Sequence, residues 1–72
     1  MKLVNPIGYT YIDSIHNPEC VIEVYIKEDC TIVREYKCLN YNRCKIYDYK
    51  LSEYLDRYKG HSIRKKIIET IY

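Results

Sequence analysis

The sequence predicts a small α+β domain: a three- to four-stranded, mainly antiparallel sheet with one helix packed on one face. Three observations carry this expectation. Val21–Lys27 alternates strictly, with Ile22, Val24 and Ile26 on one side and Val21, Glu23, Tyr25 and Lys27 on the other, the pattern of a half-buried strand. A second run rich in β-branched residues, Cys30–Cys38, follows after only Glu28-Asp29, which is the length of a tight hairpin loop. Farther on, Leu51, Tyr54, Leu55 and Tyr58 fall at i, i+3, i+4 and i+7, the stripe of an amphipathic helix.

At 72 residues the chain makes one domain. A domain this small buries only ~60% of its unfolded surface, so its stability margin is thin. Residues 1–18 form an N-terminal arm with a short strand at Tyr9–Ile12, ended by Asn17-Pro18. Asn5-Pro6 and Gly8 are turn signals within it, and Leu3, Val4 and Ile7 are expected to tuck the arm onto the body.

Residues 20–49 read as a β-meander. A Glu28-Asp29 loop sets Lys27 opposite Cys30, Val24 opposite Val33 and Glu23 opposite Arg34. That pair is not the Asn-Gly or Asp-Gly that two-residue turns prefer, which leaves a longer loop as the alternative. Asn40 and Asn42 suit a second turn before the run Arg43–Tyr49. With Cys38 opposite Cys44, Arg34 faces Asp48, Val33 faces Tyr49 and Tyr36 faces Ile46. One sheet face then collects Ile22, Val24, Ile26, Val33, Tyr47, Tyr49 and Leu51. The other carries Arg34 between Glu23 and Asp48, and opposite charges so placed stabilise by ~0.2–1 kcal/mol each. Lys37 opposite Lys45 is a like-charge blemish, tolerable at an open end.

Residues 50–59 form the helix, with Asp48 or Ser52 as its cap and Gly60 as the left-handed residue that ends it. Residues 61–72 are strand or helix. As a helix, Ile63, Ile67, Ile68 and Ile71 share one arc behind a Ser62 cap. As a strand, the β-branched content is satisfied and the sheet gains an edge. The strand is the preferred reading.

Bulk composition excludes several functions. The net charge of +2 is too small to imply nucleic acid or an anionic membrane. No apolar run approaches the ~20 residues that span a bilayer, and no signal-peptide core precedes Asn5-Pro6. The expectation is a cytoplasmic protein that does not engage a membrane. Ten Tyr stand beside no Phe and no Trp, so a core built partly on Tyr must give each hydroxyl a partner or water. The Ile, Tyr, Lys and Asn bias hints at an AT-rich genome, such as that of a virus or phage.

Chemistry finds few anchors. Cys20, Cys30, Cys38 and Cys44 lack the close pairing of structural zinc sites, and no metal or cofactor is expected. Cys38 and Cys44 form the candidate disulfide, with free thiols as the alternative. No Cys has a His at a local spacing that would activate it. Gly8 and Gly60 are the only glycines, so a phosphate-cradling loop is absent. Catalysis is therefore not expected.

The expectation is a small non-enzymatic protein that acts through protein–protein contacts, for instance a viral or phage accessory protein that binds a host factor in the host cytoplasm. Its candidate contact residues are Tyr25, Ile32, Arg34, Tyr36 and Ile46, on the sheet face away from the helix. That face is too apolar for open solvent, and residues 1–15, a second copy of the chain or another protein would cover it. The alternative is an RNA- or DNA-binding module that uses Tyr41, Arg43, Lys45, Arg64, Lys65 and Lys66 for stacking and phosphate neutralisation. A second alternative is a structural subunit stapled by a disulfide or metal.

Overall fold

A computed structural model describes residues 7–40 and 43–72, which form a two-layer α+β domain. Among the described residues there are four strands and two helices: β1 (Tyr9–His16), β2 (Val21–Lys27), β3 (Ile32–Asn40), β4 (Arg43–Lys50), α1 (Leu51–Arg57) and α2 (Ser62–Ile71). The strands lie in chain order, β1-β2-β3-β4, and each neighbouring pair is antiparallel. Both helices pack on one face, α1 over β3 and β4 and α2 over β1. No helix among the described residues is long and apolar enough to cross a membrane.

The β3–β4 register matches the expected one, with Val33 opposite Tyr49, Arg34 opposite Asp48, Tyr36 opposite Ile46 and Cys38 opposite Cys44. The β2–β3 register does not. Ile26 faces Val33, Tyr25 faces Arg34, and Glu23 faces Tyr36. The slip is two residues, so Lys27 does not face Cys30, Val24 does not face Val33, and the Glu23-Arg34-Asp48 ladder is not formed. The cause is the loop. The amide of Cys30 donates to the carbonyl of Lys27 at 2.8 Å, and Cys30 takes φ 61°. A tight turn followed by a left-handed residue makes a longer connection than Glu28-Asp29 alone. Asp29 braces it by accepting from the Thr31 amide at 3.0 Å and the Thr31 hydroxyl at 2.5 Å. A slip of two keeps every side chain on its expected face, because the strand period is two.

The left-handed Cys30 offers a stability test. A side chain there costs about 1–2 kcal/mol, which glycine avoids, while glycine frees the unfolded chain by about 0.4–1 kcal/mol. Cys30→Gly is expected to raise the urea midpoint by an amount equivalent to about 0.5–1 kcal/mol. A midpoint lowered by that much would show that the half-buried thiol's packing outweighs the backbone strain.

β1 is longer than expected and does not lie over the sheet as a cover. It pairs with β2 along its whole length, with a bulge at Ile12. The bulge shifts the alternation, so that Tyr9 and Tyr11 before it and Ser14 and His16 after it share the face away from the helices. Ile12 and Ile15 pack against the core. Ile7 is fully exposed and does not tuck against the body; Leu3 and Val4 lie outside the described residues.

The C-terminal segment is a helix, not the preferred strand. β1 already occupies the edge of β2 that a returning strand would have taken. As a helix the segment buries Ile63 and Ile67 and half-buries Ile68 and Ile71. Its cap is His61, whose Nδ1 accepts from the Ile63 amide at 3.1 Å, in place of Ser62. The α1 cap position is Lys50, with no side-chain capping bond, in place of Asp48 or Ser52. Gly60 adopts φ 83° between the two helices, as the expected left-handed residue.

The core comprises Cys20, Ile22, Val24, Ile26, Val33, Tyr54, Ile63 and Ile67. Tyr47, expected there, is 39% exposed, because α1 covers the sheet only near the β4–α1 junction.

Candidate contact surface on the hairpin of β3 and β4

The five residues expected to form a protein contact do not behave as one surface. Tyr25 is fully buried. Its ring sits edge-on between those of Tyr11 and Tyr36, with centroids 5.5 and 5.4 Å away, and its hydroxyl donates to Glu23 at 3.0 Å. Burial, then the Glu23 bond, pushes the Tyr25 phenol above its ordinary value. Tyr25 is thus a structural residue and cannot meet a partner directly. Arg34 holds Asp48 through two bonds of 2.8 and 3.0 Å and stacks over Tyr9 at 4.5 Å. The guanidinium holds the Asp48 carboxyl below the usual range. A paired, stacked arginine is preorganised in place and is a poor free ligand. Ile32 and Tyr36 are half-buried, and Ile46 is 53% exposed.

The residues expected to bind nucleic acid divide between two places. Arg43 and Lys45 are exposed on β4, and Tyr41 lies outside the described residues. Arg64, Lys65 and Lys66 lie on α2, which packs on β1 at the far side of the sheet. Three strand spacings, about 14 Å, separate β1 from β4. Lys66 pairs with Asp13, whose carboxyl is held low by that bond. The two basic groups therefore do not form one continuous track.

What the structure brings together instead is the free end of the β3–β4 hairpin. From Arg43 to Asp48 every residue is exposed, as are Lys37 and Leu39 opposite them. Lys37, Leu39, Arg43, Cys44, Lys45 and Tyr47 line one open groove. Leu39 is 56% exposed beside it, and Ile46 emerges on the reverse face. Of the candidate contact residues that are described, Ile46, Arg43 and Lys45 belong to this end. Leu39 and Lys37 were missed, although the β3–β4 register already placed Lys37 and Lys45 opposite each other.

The hairpin end is held by the Cys38–Cys44 disulfide, with Cα atoms 4.0 Å apart. Cys20 is a buried free thiol and Cys30 a half-buried one. The bridge closes a short loop, so its removal is expected to cost about 2 kcal/mol. The double variant Cys38→Ser, Cys44→Ser should show this as a lowered urea midpoint, and reductant should lower the wild type to match. An unchanged midpoint in both would show that the bond contributes nothing to the fold.

A second feature escaped the sequence reading. Glu35 is buried beneath α1, only 5% exposed, and accepts from Tyr54 at 2.6 Å and Tyr58 at 2.9 Å. Burial first, then the bond to this carboxylate, raises both phenols above their ordinary value. The signal was present in the alternation: Glu35 shares its face with Val33. Its satisfied bonds identify it as an anchor for α1, since among the described residues no buried side-chain polar atom lacks a partner. No group of three or more His, Cys, Asp or Glu among the described residues is placed to hold a metal ion.

Comparison with known protein families, curated proteins and solved structures finds no match to this chain.

Proposed function

We propose that this is a small non-enzymatic binding protein that acts through protein–protein contacts, with the β3–β4 hairpin as its contact element. One observation carries the reading. Of the large hydrophobic residues exposed among the described positions, Leu39, Ile46 and Tyr47 all lie at that hairpin, whereas Ile7 and Tyr72 stand alone. Single exposed apolar residues are ordinary, but three on one hairpin, Leu39 and Tyr47 at the groove and Ile46 on the reverse face, point to an interaction element. A disulfide-closed hairpin also loses little conformational freedom on docking, which favours affinity. The Ile-, Tyr-, Lys- and Asn-rich composition agrees with a viral or phage accessory protein that binds a host factor in the cytoplasm.

The test is site-specific photo-cross-linking in lysate of the source or host cell. A cross-linker at Ile46 should give a discrete adduct that disappears with Tyr47→Asp, and one at Ser52 on α1 should give none. Equal labelling from both positions, or none from Ile46, would overturn the reading.

A further inference from the structure

Lys37 and Lys45 face each other directly across β3 and β4. Arg43 lies on the same face, two residues from Lys45. Among the described residues no acidic side chain lines the groove these three share. Like charges in facing positions are unfavourable, and native sheets normally avoid them or interleave a counter-charge. Elsewhere in this sheet that rule is obeyed, since Arg34 faces Asp48 three pairs along the same two strands, on the opposite face. On the groove's own face the next pair sets Glu35 opposite Tyr47, and the Glu35 carboxylate is taken up by Tyr54 and Tyr58. The groove therefore carries an uncompensated positive field, walled by the apolar surfaces of Leu39 and Tyr47.

From this charge complementarity we infer that the groove receives an extended acidic segment of a partner protein, with carboxylates set on Lys37, Arg43 and Lys45 and the alternate, apolar side chains beside Ile46 on the reverse face. The inference rests on the hairpin being the contact element. β4 is the last strand of the sheet, so its outer edge offers backbone donors and acceptors to a segment running alongside it. In such a segment alternate side chains point to one face, which matches acidic residues on the groove side and apolar ones opposite Ile46. A nucleic-acid strand fits less well. It needs a basic track over several nucleotides with repeated stacking platforms, whereas Tyr47 is the single ring lining the groove among the described residues and the α2 cations lie on the far side of the sheet.

The experiment uses three labelled probes in fluorescence anisotropy at low and moderate salt: a short peptide alternating Glu with Val, its Gln-for-Glu counterpart, and an oligothymidylate of equal length. The acidic peptide is expected to bind best, with affinity that falls as salt rises. Lys45→Glu should weaken it by about tenfold or more. The same substitution places Glu opposite Lys37 in the free protein and should raise its melting temperature by ~2–5 °C. That gain shows the variant is folded and the lost binding local. Equal binding of the Gln peptide would overturn the acidic requirement while leaving the hairpin as a contact element. Preferred binding of the oligonucleotide, or binding of no probe, would overturn the inference, and the cross-linking result then decides separately whether the hairpin is a contact element.

Discussion

Tyr54→Ala is expected to abolish cooperative folding near room temperature, or at the least to lower the melting temperature by more than 10 °C. Tyr54 is the one buried residue of α1, and it is fully excluded from solvent. Its ring packs against Tyr49 and Tyr58, with centroids 5.4 and 4.6 Å away, and its hydroxyl donates to Glu35 across the layer interface. Truncating a buried aromatic ring costs about 3–5 kcal/mol through lost transfer energy and the cavity left behind. A domain of this size commands little more than that in total. Tyr54→Phe separates the two contributions. It keeps the ring and removes only the hydroxyl, which costs about 1.5–3 kcal/mol for a bond to a charged acceptor. Thermal melts followed by circular dichroism should therefore rank wild type above Tyr54→Phe and Tyr54→Phe above Tyr54→Ala. A Tyr54→Ala melt within a few degrees of wild type would mean that α1 does not rest on β3 as described.

Raising the pH above about 10, the ordinary phenol value, is expected to unfold the domain at a pH where its disulfide and peptide bonds are intact on the timescale of the measurement. Tyr25, Tyr49, Tyr54 and Tyr58 all have phenols held above their ordinary value in the fold, with burial as the leading cause in each. The nearby carboxylates Glu23 and Glu35 add to it. A proton held more tightly in the folded state gives stability that is fully present below the unfolded-state pKa. That stability is lost as pH rises toward the folded-state value. The Lys66 ammonium, held above its ordinary value by its bond to Asp13, contributes in the same direction. The measurement is a stopped-flow pH jump read at the wavelength of tyrosinate absorption and, in parallel, by circular dichroism. Tyr25, Tyr49, Tyr54 and Tyr58 should ionise only as the secondary-structure signal is lost. Ionisation of these four in one rapid phase, with secondary structure retained, would show that the phenols bonded to Glu23 and Glu35 are open to solvent.

The two hairpins differ in how far the sequence revealed them. β3–β4 was readable as far as Cys38, because setting Cys38 opposite Cys44 also brings Arg34 to Asp48 and Tyr36 to Ile46; the shift between Cys38 and Asn40 was not. Complementary pairs that follow from one assumed alignment support it together. β2–β3 was readable only to within two residues. Glu23 opposite Arg34 appeared favourable, but the turn was decided by the local bonds of Asp29 to Thr31 and by the left-handed Cys30. Charge pairing on an exposed face is worth too little to overrule turn geometry.

The same contrast holds for the candidate contact residues. Alternation correctly put Tyr25 away from the helices, but it says nothing about depth. Tyr25 is buried because Tyr11 from β1 and Tyr36 from β3 close over it, and a neighbour brought in by strand pairing leaves no mark in the residue's own stretch of chain. Leu39 passes unnoticed as a single residue and Lys37 reads only as a like-charge blemish; both matter once Arg43, Lys45 and Tyr47 are set beside them.

By itself, the sequence determined the α+β class, the β2 and β3 faces, the α1 stripe and the β3–β4 alignment, because each depends on a short-range period or on pairs that agree with one another. Only the tertiary structure decided that Ser62–Ile71 is a helix, that Glu35 is an internal acceptor for Tyr54 and Tyr58, and that an unneutralised basic groove lies at the hairpin's free end. Each of those outcomes turns on competition for a place in the fold: for the edge of β2, which β1 takes, for the space beneath α1, and for helical cover, which ends before Tyr47. Such competition is settled by packing among segments far apart in the chain, where no local pattern records the result.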